Sequence, residues 1–178
     1  MKLESPSAER NKLPIWERIF EAHLLNATEL NKNVHVLEVA AGSGVHTQFF
    51  GQQLANRQIP VVWQSTDPDA ASLASQQAYI EEISIPDDNG WRTCGTIRYL
   101  KPLPLTLDAE GIQESPTKAA LTPASIDWIW TIDMVHISPW SATQGLMKMA
   151  GERLKPEGGR LILYGPYRVN GTMVESNV

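Results

Sequence analysis

Apolar positions along the chain recur at two spacings, and the spacing alternates. Ile15, Trp16, Ile19, Phe20 and Leu24 fall one, three or four residues apart. That is one face of a helix, and Pro14 is tolerable in its first turn. "HVLEVA", from His35 to Ala40, is mostly apolar and reads as a buried strand. Residues 47–55 return to helical spacing through Phe49, Phe50 and Leu54. "IPVVWQSTD" is a second strand, ending at Asp67, and Asp69 can cap a helix running to Glu82 with Leu73, Gln77 and Ile80 on one side. "DDNGW" is a turn. Residues 96–107 are extended but interrupted by Pro102 and Pro104, and "AEGIQESPTKAALTPAS" reads as a loop. "IDWIWTID" is a strand; a helix begins at Ser138-Pro139, carries Leu146, Met149, Ala150 and Leu154, and stops at "KPEGG"; "RLILYGPY" is a further strand. Strand and helix thus alternate, which predicts an α/β fold: a parallel sheet with helices on both faces. Right-handed crossovers then bring the strand ends, and any ligand, to one edge of that sheet.

The chain has 178 residues, 42% of them hydrophobic, which suits one domain around one core. We expect a single domain over 1–178, with an N-terminal helix or lid in 1–30 ahead of a core in 34–178. No apolar run approaches the ~20 residues of a membrane span, and "MKLESPSAERNK" has no apolar stretch of the signal-peptide kind. Cys94 is the only cysteine, so no intrachain disulfide can form. These features together predict a cytoplasmic protein. The net charge of −5, without a Lys/Arg cluster, argues against a nucleic-acid binder, whose phosphate contacts need concentrated positive charge. His23, His35, His46 and His136 are scattered, with no pair at metal-ligand spacing, so no metal is expected. Six tryptophans are many for this length, and core packing accounts for several of them.

Between the first strand and the next helix lies Gly42-Ser43-Gly44. Glycines there let the backbone approach a ligand, and the helix start beyond offers free N–H groups. Three ligand classes use the device. A P-loop needs Gly-Lys-Ser/Thr, and here Val45 and His46 follow Gly44. A nicotinamide or flavin fingerprint needs a third glycine where this chain has Thr47. The third class, S-adenosylmethionine, pairs an acid on the first strand with the glycine turn and an acid ending the second strand. This chain has Glu38, the turn, and Asp67. A carboxylate ending the second strand can accept both ribose hydroxyls, and a nearby acid favours the cationic sulfonium and amino groups. A purely structural turn is the competing reading. Ser43 lies in "AGSGV", which is not a hydrolase elbow.

"VLEVAAGSG" resembles motif I of the class I S-adenosylmethionine-dependent methyltransferases. Together with "AERNKLPI", "WQSTDPD", "HISPW", "TQGLM" and "LYGPYRVNG", it resembles a small methyltransferase-like family of bacteria and animals whose function is unknown. The resemblance spans nearly the whole chain. It implies a Rossmann-like sheet binding S-adenosylmethionine, with S-adenosylhomocysteine as product. By it, Glu38, Ala41, Gly42, Ser43 and Gly44 belong to the methionine side, Asp67 to the ribose and Asp108 to the adenine; His46, at the start of the helix after the turn, either touches the ligand or is an ordinary polar first-turn residue. Ile132 and Asp133 fall beside the methionine moiety, where the family carries asparagine in place of Asp133. In "ERNK", ahead of the first helix, Arg10 and Lys12 form a lid over the cofactor that meets its carboxylate, with Asn11 between them as a cofactor-binding residue; a solvated arm is the alternative. Ala40 stands where the class has a glycine, tolerable if ordinary strand angles suffice. The family also continues past "SNV" with a helix and a final strand pair. We therefore expect the antiparallel C-terminal hairpin to be missing and "RLILYG" to be uncovered and prone to self-association, unless a partner covers it.

His136, just past the fourth strand, is the candidate general base; the alternative is an imidazole that orients a loop by hydrogen bonding. Trp140 either walls a substrate pocket or, the commoner case, packs under the next helix. Tyr164 and Tyr167 either line the pocket mouth or flank a turn at Gly165-Pro166. The expected function is methyl transfer to an unknown small molecule or protein. A non-catalytic cofactor-binding protein is the alternative, and a nicotinamide-dependent oxidoreductase a weaker one.

Overall fold

The computed structural model describes residues 1–24, 33–169 and 172–173. Its helices are α1 (Pro6–Ile15), α2 (Val45–Asn56), α3 (Ala70–Ile83), α4 (Ser115–Ala120) and α5 (Trp140–Arg153), with a π-helix at Trp16–Leu24. The strands are β1 (Val34–Val39), β2 (Val61–Asp67), β3 (Ile85–Pro86), β4 (Arg92–Cys94), β5 (Ile97–Tyr99), β6 (Leu103–Pro104), β7 (Leu107–Asp108), β8 (Gly111–Ile112), β9 (Trp128–Ile132), β10 (Arg160–Tyr164), β11 (Arg168–Val169) and β12 (Thr172–Met173).

The main sheet runs β10-β9-β1-β2-β5-β4-β3, and β6 pairs with the end of β2. Its strands from β10 to β5 are parallel neighbours. From β1 the chain first builds outward through β2, then returns to the other side of β1 as β9. That reversal makes a crevice outside the carboxyl ends of β1 and β9, where open α/β sheets bind ligands.

Alternation along the strands sorts two cores. Val34, Val36, Val61, Trp63, Trp128 and Trp130 face α2, α3 and the π-helix. Leu37, Val39 and Ile129 face α5 with Leu146 and Met149. The first core is aromatic. Phe20 lies 4.6 Å from Phe50 and 4.9 Å from Trp130, and Trp63 lies 4.8 Å from Trp130. Edge-on and offset ring contacts at these distances add about 0.5–1.5 kcal/mol per pair beyond burial. Four of the six tryptophans are nearly fully buried and serve packing.

Several expectations change. "ERNK" lies inside α1 rather than ahead of the first helix, because Ser5 caps a helix that starts at Pro6. Pro14 therefore sits in the last turn, where it has no N–H to give, and the chain continues as the π-helix. The stretch 109–125 holds β8 and α4, since Pro116 and the residues after it suit a helix's first turn. The "DDNGW" turn joins β3 to β4, an antiparallel extension at the sheet's far edge. At the other edge, every residue of β10 is partly exposed, and a small antiparallel β11–β12 pair stands apart from the main sheet. Asp69 does cap α3, accepting from Ser72 N–H at 2.8 Å.

Candidate functional site

The chain leaves β1 through a turn with three left-handed residues: Ala40 at φ +54°, Gly42 at +55° and Gly44 at +96°. The two glycines answer different needs. A Cβ on Gly44 would lie 2.8 Å from the Gln76 Cα, so α2 and α3 meet there only because the side chain is absent. A Cβ on Gly42 would meet nothing within 4 Å. Gly42 thus presents bare backbone to open space, which is what close approach by a ligand requires. The expectation that Ala40 needs only strand angles is corrected: left-handed angles cost an L-residue roughly 1–2 kcal/mol. The turn is held from behind. Gln76 Nε2 donates to Gly42 O at 3.2 Å, and Ser75 Oγ donates to Ser43 O at 2.7 Å. Ser75 also accepts from Leu3 N–H, tying the N-terminal arm to the turn. Sequence reasoning missed Ser75 and Gln76; the available signal was two polar residues one turn ahead of Tyr79 and Ile80, on the same buried side of α3.

Asp67 ends β2 beside this turn. Its Oδ2 accepts from Gly42 N–H at 2.9 Å and its Oδ1 from Asp69 N–H at 3.0 Å. Burial raises its pKa, and those two N–H donors oppose the rise. A carboxylate has about four lone-pair positions, so acceptor capacity remains for a further ligand.

Glu38 behaves differently. It shares a face with Val34 and Val36, so its carboxylate points into the aromatic core under α2. It is 2% exposed. Its Oε2 accepts from Thr47 Oγ1 at 2.6 Å and from Trp63 Nε1 at 3.1 Å. The Trp130 indole N–H approaches the same carboxylate without completing a well-aligned hydrogen bond. Burial pushes the Glu38 pKa up to about 7, the donors oppose it, and the Asp67 charge adds to the rise. The carboxylate expected at the ligand edge thus faces inward in this structure. Glu38 braces the strand-to-helix junction from inside, and Thr47, standing where a nicotinamide fingerprint has glycine, is its partner.

Helix α1 lies over α2 and reaches the crevice. Asn11 Nδ2 donates to Asp133 Oδ2 at 3.4 Å, and Asn11 Oδ1 lies 2.8 Å from His46 Nε2. Since the Asn11 amide nitrogen faces Asp133, His46 Nε2 carries the proton. Burial lowers the His46 pKa to about 4, so the ring is neutral. Three expected site residues, from three separate elements, thus meet. Lys12 pairs with Glu9 and lies over the Phe49 ring at 5.3 Å, whereas Arg10 is exposed.

Asp133 follows β9 with φ +62°, the second left-handed non-glycine residue at the switch point. Strain of this kind gathers at functional sites. Ile132, just before it, is partly buried against the aromatic core. His136 is exposed, and its imidazole makes no hydrogen bond to another described residue. The turn is ordered instead by Met134 O, which accepts from Ile137 N–H, Ser138 N–H and Ser138 Oγ. Trp140 is 70% exposed, which overturns the packing reading. Tyr164 is half-buried and Tyr167 is 36% exposed. Burial first, then the Asp133 charge, raises the pKa of both phenols. Asp108 lies in the β7–β8 hairpin: its Oδ1 accepts from Glu110 N–H at 2.8 Å, and its backbone packs on Gly145 of α5. Ala41 is buried, with its N–H bonded to Thr66 O at 2.9 Å. Two cavities of about 160 and 120 Å³ lie around β4 and β5, and neither includes the glycine turn among its lining residues. Among the described residues there is no cluster able to hold a metal ion, and no helix long and apolar enough to cross a membrane.

Similar solved structures carry the same fold. The CurJ carbon methyltransferase aligns over 93% of this chain and 37% of its own, with 20% identity and a TM-score of 0.60. The DszA carbon methyltransferase aligns over 90% and 36%, with 17% identity and a TM-score of 0.56. A putative sarcosine dimethylglycine methyltransferase from Galdieria sulphuraria aligns over 91% and 52%, with 16% identity and a TM-score of 0.53. The chain therefore spans between about a third and a half of these proteins, and shares with them a Rossmann-like methyltransferase fold. At the level of sequence the assignment is direct: residues 2–178 match the family described as "Protein of unknown function (DUF938)", and the chain belongs to it.

Proposed function

We propose that this protein is an S-adenosylmethionine-dependent methyltransferase, acting in the cytoplasm on a small-molecule or protein acceptor. The observation that carries the reading is the pairing of Gly42 with Asp67. Open space lies above the Gly42 backbone, and a carboxylate with spare acceptor capacity stands beside it. These residues fit the cofactor. The Gly42-Ser43-Gly44 backbone would take its methionine end, Asp67 would accept its ribose hydroxyls, and Asp108 would lie toward the adenine. The cofactor supplies an electrophilic methyl group. The chain's own work is to position that group and exclude water, with α1 as cover over the crevice. His136 would take the proton that an amine or hydroxyl acceptor gives up. A nicotinamide cofactor fits less well, because Thr47 is committed to Glu38.

Asp67→Asn tests this pairing. Asparagine keeps an oxygen for the Gly42 N–H but loses the charge, and hydrogen bonds to charged groups contribute about 1.5–3 kcal/mol. Affinity for S-adenosylhomocysteine should fall at least about tenfold, equivalent to ~1.4 kcal/mol, with little change in melting temperature. Unchanged affinity by calorimetry would mean that the ribose is held elsewhere.

A further inference from the structure

Acids at the carboxyl edge of the sheet are mostly accounted for. Glu38 is held by Thr47 and Trp63, Asp67 by two backbone N–H groups, and Asp69 by the start of α3. Asp133 is not. Its carboxylate receives one long hydrogen bond, from Asn11 at 3.4 Å, and pairs with no cation among the described residues. A half-buried carboxylate calls for a cation or further donors. The group is nonetheless held in place. Its backbone is in a left-handed conformation, and Asn11 is itself fixed by His46. Asp133 N–H donates to Tyr164 O at 2.8 Å, and the Asp133 charge, after burial, raises the pKa of both the Tyr164 and Tyr167 phenols, with Arg18 opposing at Tyr164. Gly165, between them in the chain, leaves a notch against His136 and Tyr167: a Cβ there would sit 3.4 Å from His136 Nδ1 and 3.7 Å from the Tyr167 ring. An unpaired carboxylate beside two tyrosine rings matches a cationic amine, by charge-assisted hydrogen bonding and by cation–π attraction.

We propose that Asp133 seats the amine nitrogen of the methyl acceptor, with Tyr164 and Tyr167 as the walls of that seat. The substrate class is then a primary or secondary amine rather than a hydroxyl, thiol or carbon acid. The inference rests on the methyltransferase reading. Strand order favours the acceptor over the cofactor's own ammonium group as the occupant. Asp67 ends β2 and the glycine turn follows β1, whereas Asp133 follows β9, on the opposite side of β1, and Tyr164 ends β10 and Tyr167 follows it, one strand farther out. The nitrogen must shed a proton to carry a free lone pair, and the exposed His136 imidazole stands at the same notch to take it.

The test uses Asp133→Asn, since asparagine tolerates left-handed angles and should fold. Phenethylamine and n-butylamine, each against its matched alcohol, are titrated into the full chain with and without saturating S-adenosylhomocysteine. We expect an amine to bind saturably and its alcohol at least tenfold more weakly. We also expect Asp133→Asn to lower amine affinity at least tenfold, while the dissociation constant for S-adenosylhomocysteine stays within twofold. Equal binding of amine and alcohol, or no amine binding, overturns the proposal. So does a variant that binds S-adenosylhomocysteine more weakly but 5′-methylthioadenosine normally, because the carboxylate would then serve the cofactor's ammonium group. Failure of the wild-type chain to bind S-adenosylhomocysteine is a separate result, against the methyltransferase reading itself, and the amine titration without it remains readable.

Discussion

Replacing His136 with alanine should cut methyl-transfer turnover by about 10²–10⁴-fold, the usual contribution of a positioned base, while cofactor affinity and melting temperature stay nearly constant. Three observations separate this from a structural role. The imidazole is exposed, it makes no hydrogen bond to a described residue, and the surrounding turn is ordered through Met134 O without it. His136→Gln should fail to restore turnover, since an amide can hydrogen-bond but cannot accept a proton near neutral pH. A structural histidine would behave in the opposite way, with a lower melting temperature, weaker S-adenosylhomocysteine binding and partial rescue by glutamine. The binding and melting measurements need no acceptor, and a large loss in either removes His136 from the chemistry.

Glu38→Gln should abolish a pH-dependent loss of stability of about 3 kcal/mol, the free energy of a shift from 4.5 to about 7 at 1.36 kcal/mol per pH unit. A carboxyl whose folded pKa is raised holds its proton in the folded state after the unfolded chain has released it. Its contribution is therefore full below about pH 4.5 and is lost as pH rises through about 7. His46 acts in the opposite sense. Its folded pKa is lowered from 6.5 to about 4, so its contribution is full above pH 6.5 and is lost as pH falls through about 4. The two nearly cancel between pH 4.5 and 6.5 in the wild-type chain. The informative quantity is thus the difference in unfolding free energy, glutamine variant minus wild type, measured in urea at pH 5 and pH 8. It should rise by about 2.5 kcal/mol between them, slightly less than the full amount because part of the contribution is already lost at pH 5; glutamine keeps an acceptor for Thr47 and Trp63 and carries no charge at either pH. A difference independent of pH would mean that Glu38 is ionised in the folded protein throughout.

The Glu38 result also marks the limit of what the sequence made legible. Period and punctuation gave β1, β2 and β9 with the helix after each, and β10, to within a few residues, because those segments are long and their apolar spacing is regular. From their alternation the ligand edge followed. Short pairings did not: β3, β4, β7 and β8 are two or three residues each and leave no period to read. α1 was missed ahead of Pro14 because its residues are mostly polar, and its place depends on Ala8 packing against Val45 and Tyr79. Within the site, strand position identified Glu38 and Asp67 but not where their oxygens point. Alternation on β1 sends Glu38 inward, and only the tertiary neighbours Thr47 and Trp63 reveal it. Backbone angles were hidden too. Nothing in the letters "Ala40" signals a left-handed residue, and Asp133, of a type that tolerates such angles, signals it only weakly.

Isothermal titration of the purified chain with S-adenosylhomocysteine, and in parallel with NAD, tests the central claim most directly. Gly42, backed by Ser75 and Gln76 and flanked by Asp67, predicts saturable one-to-one binding of S-adenosylhomocysteine and no heat from NAD. Preferential binding of NAD, or no binding of S-adenosylhomocysteine, would contradict the account.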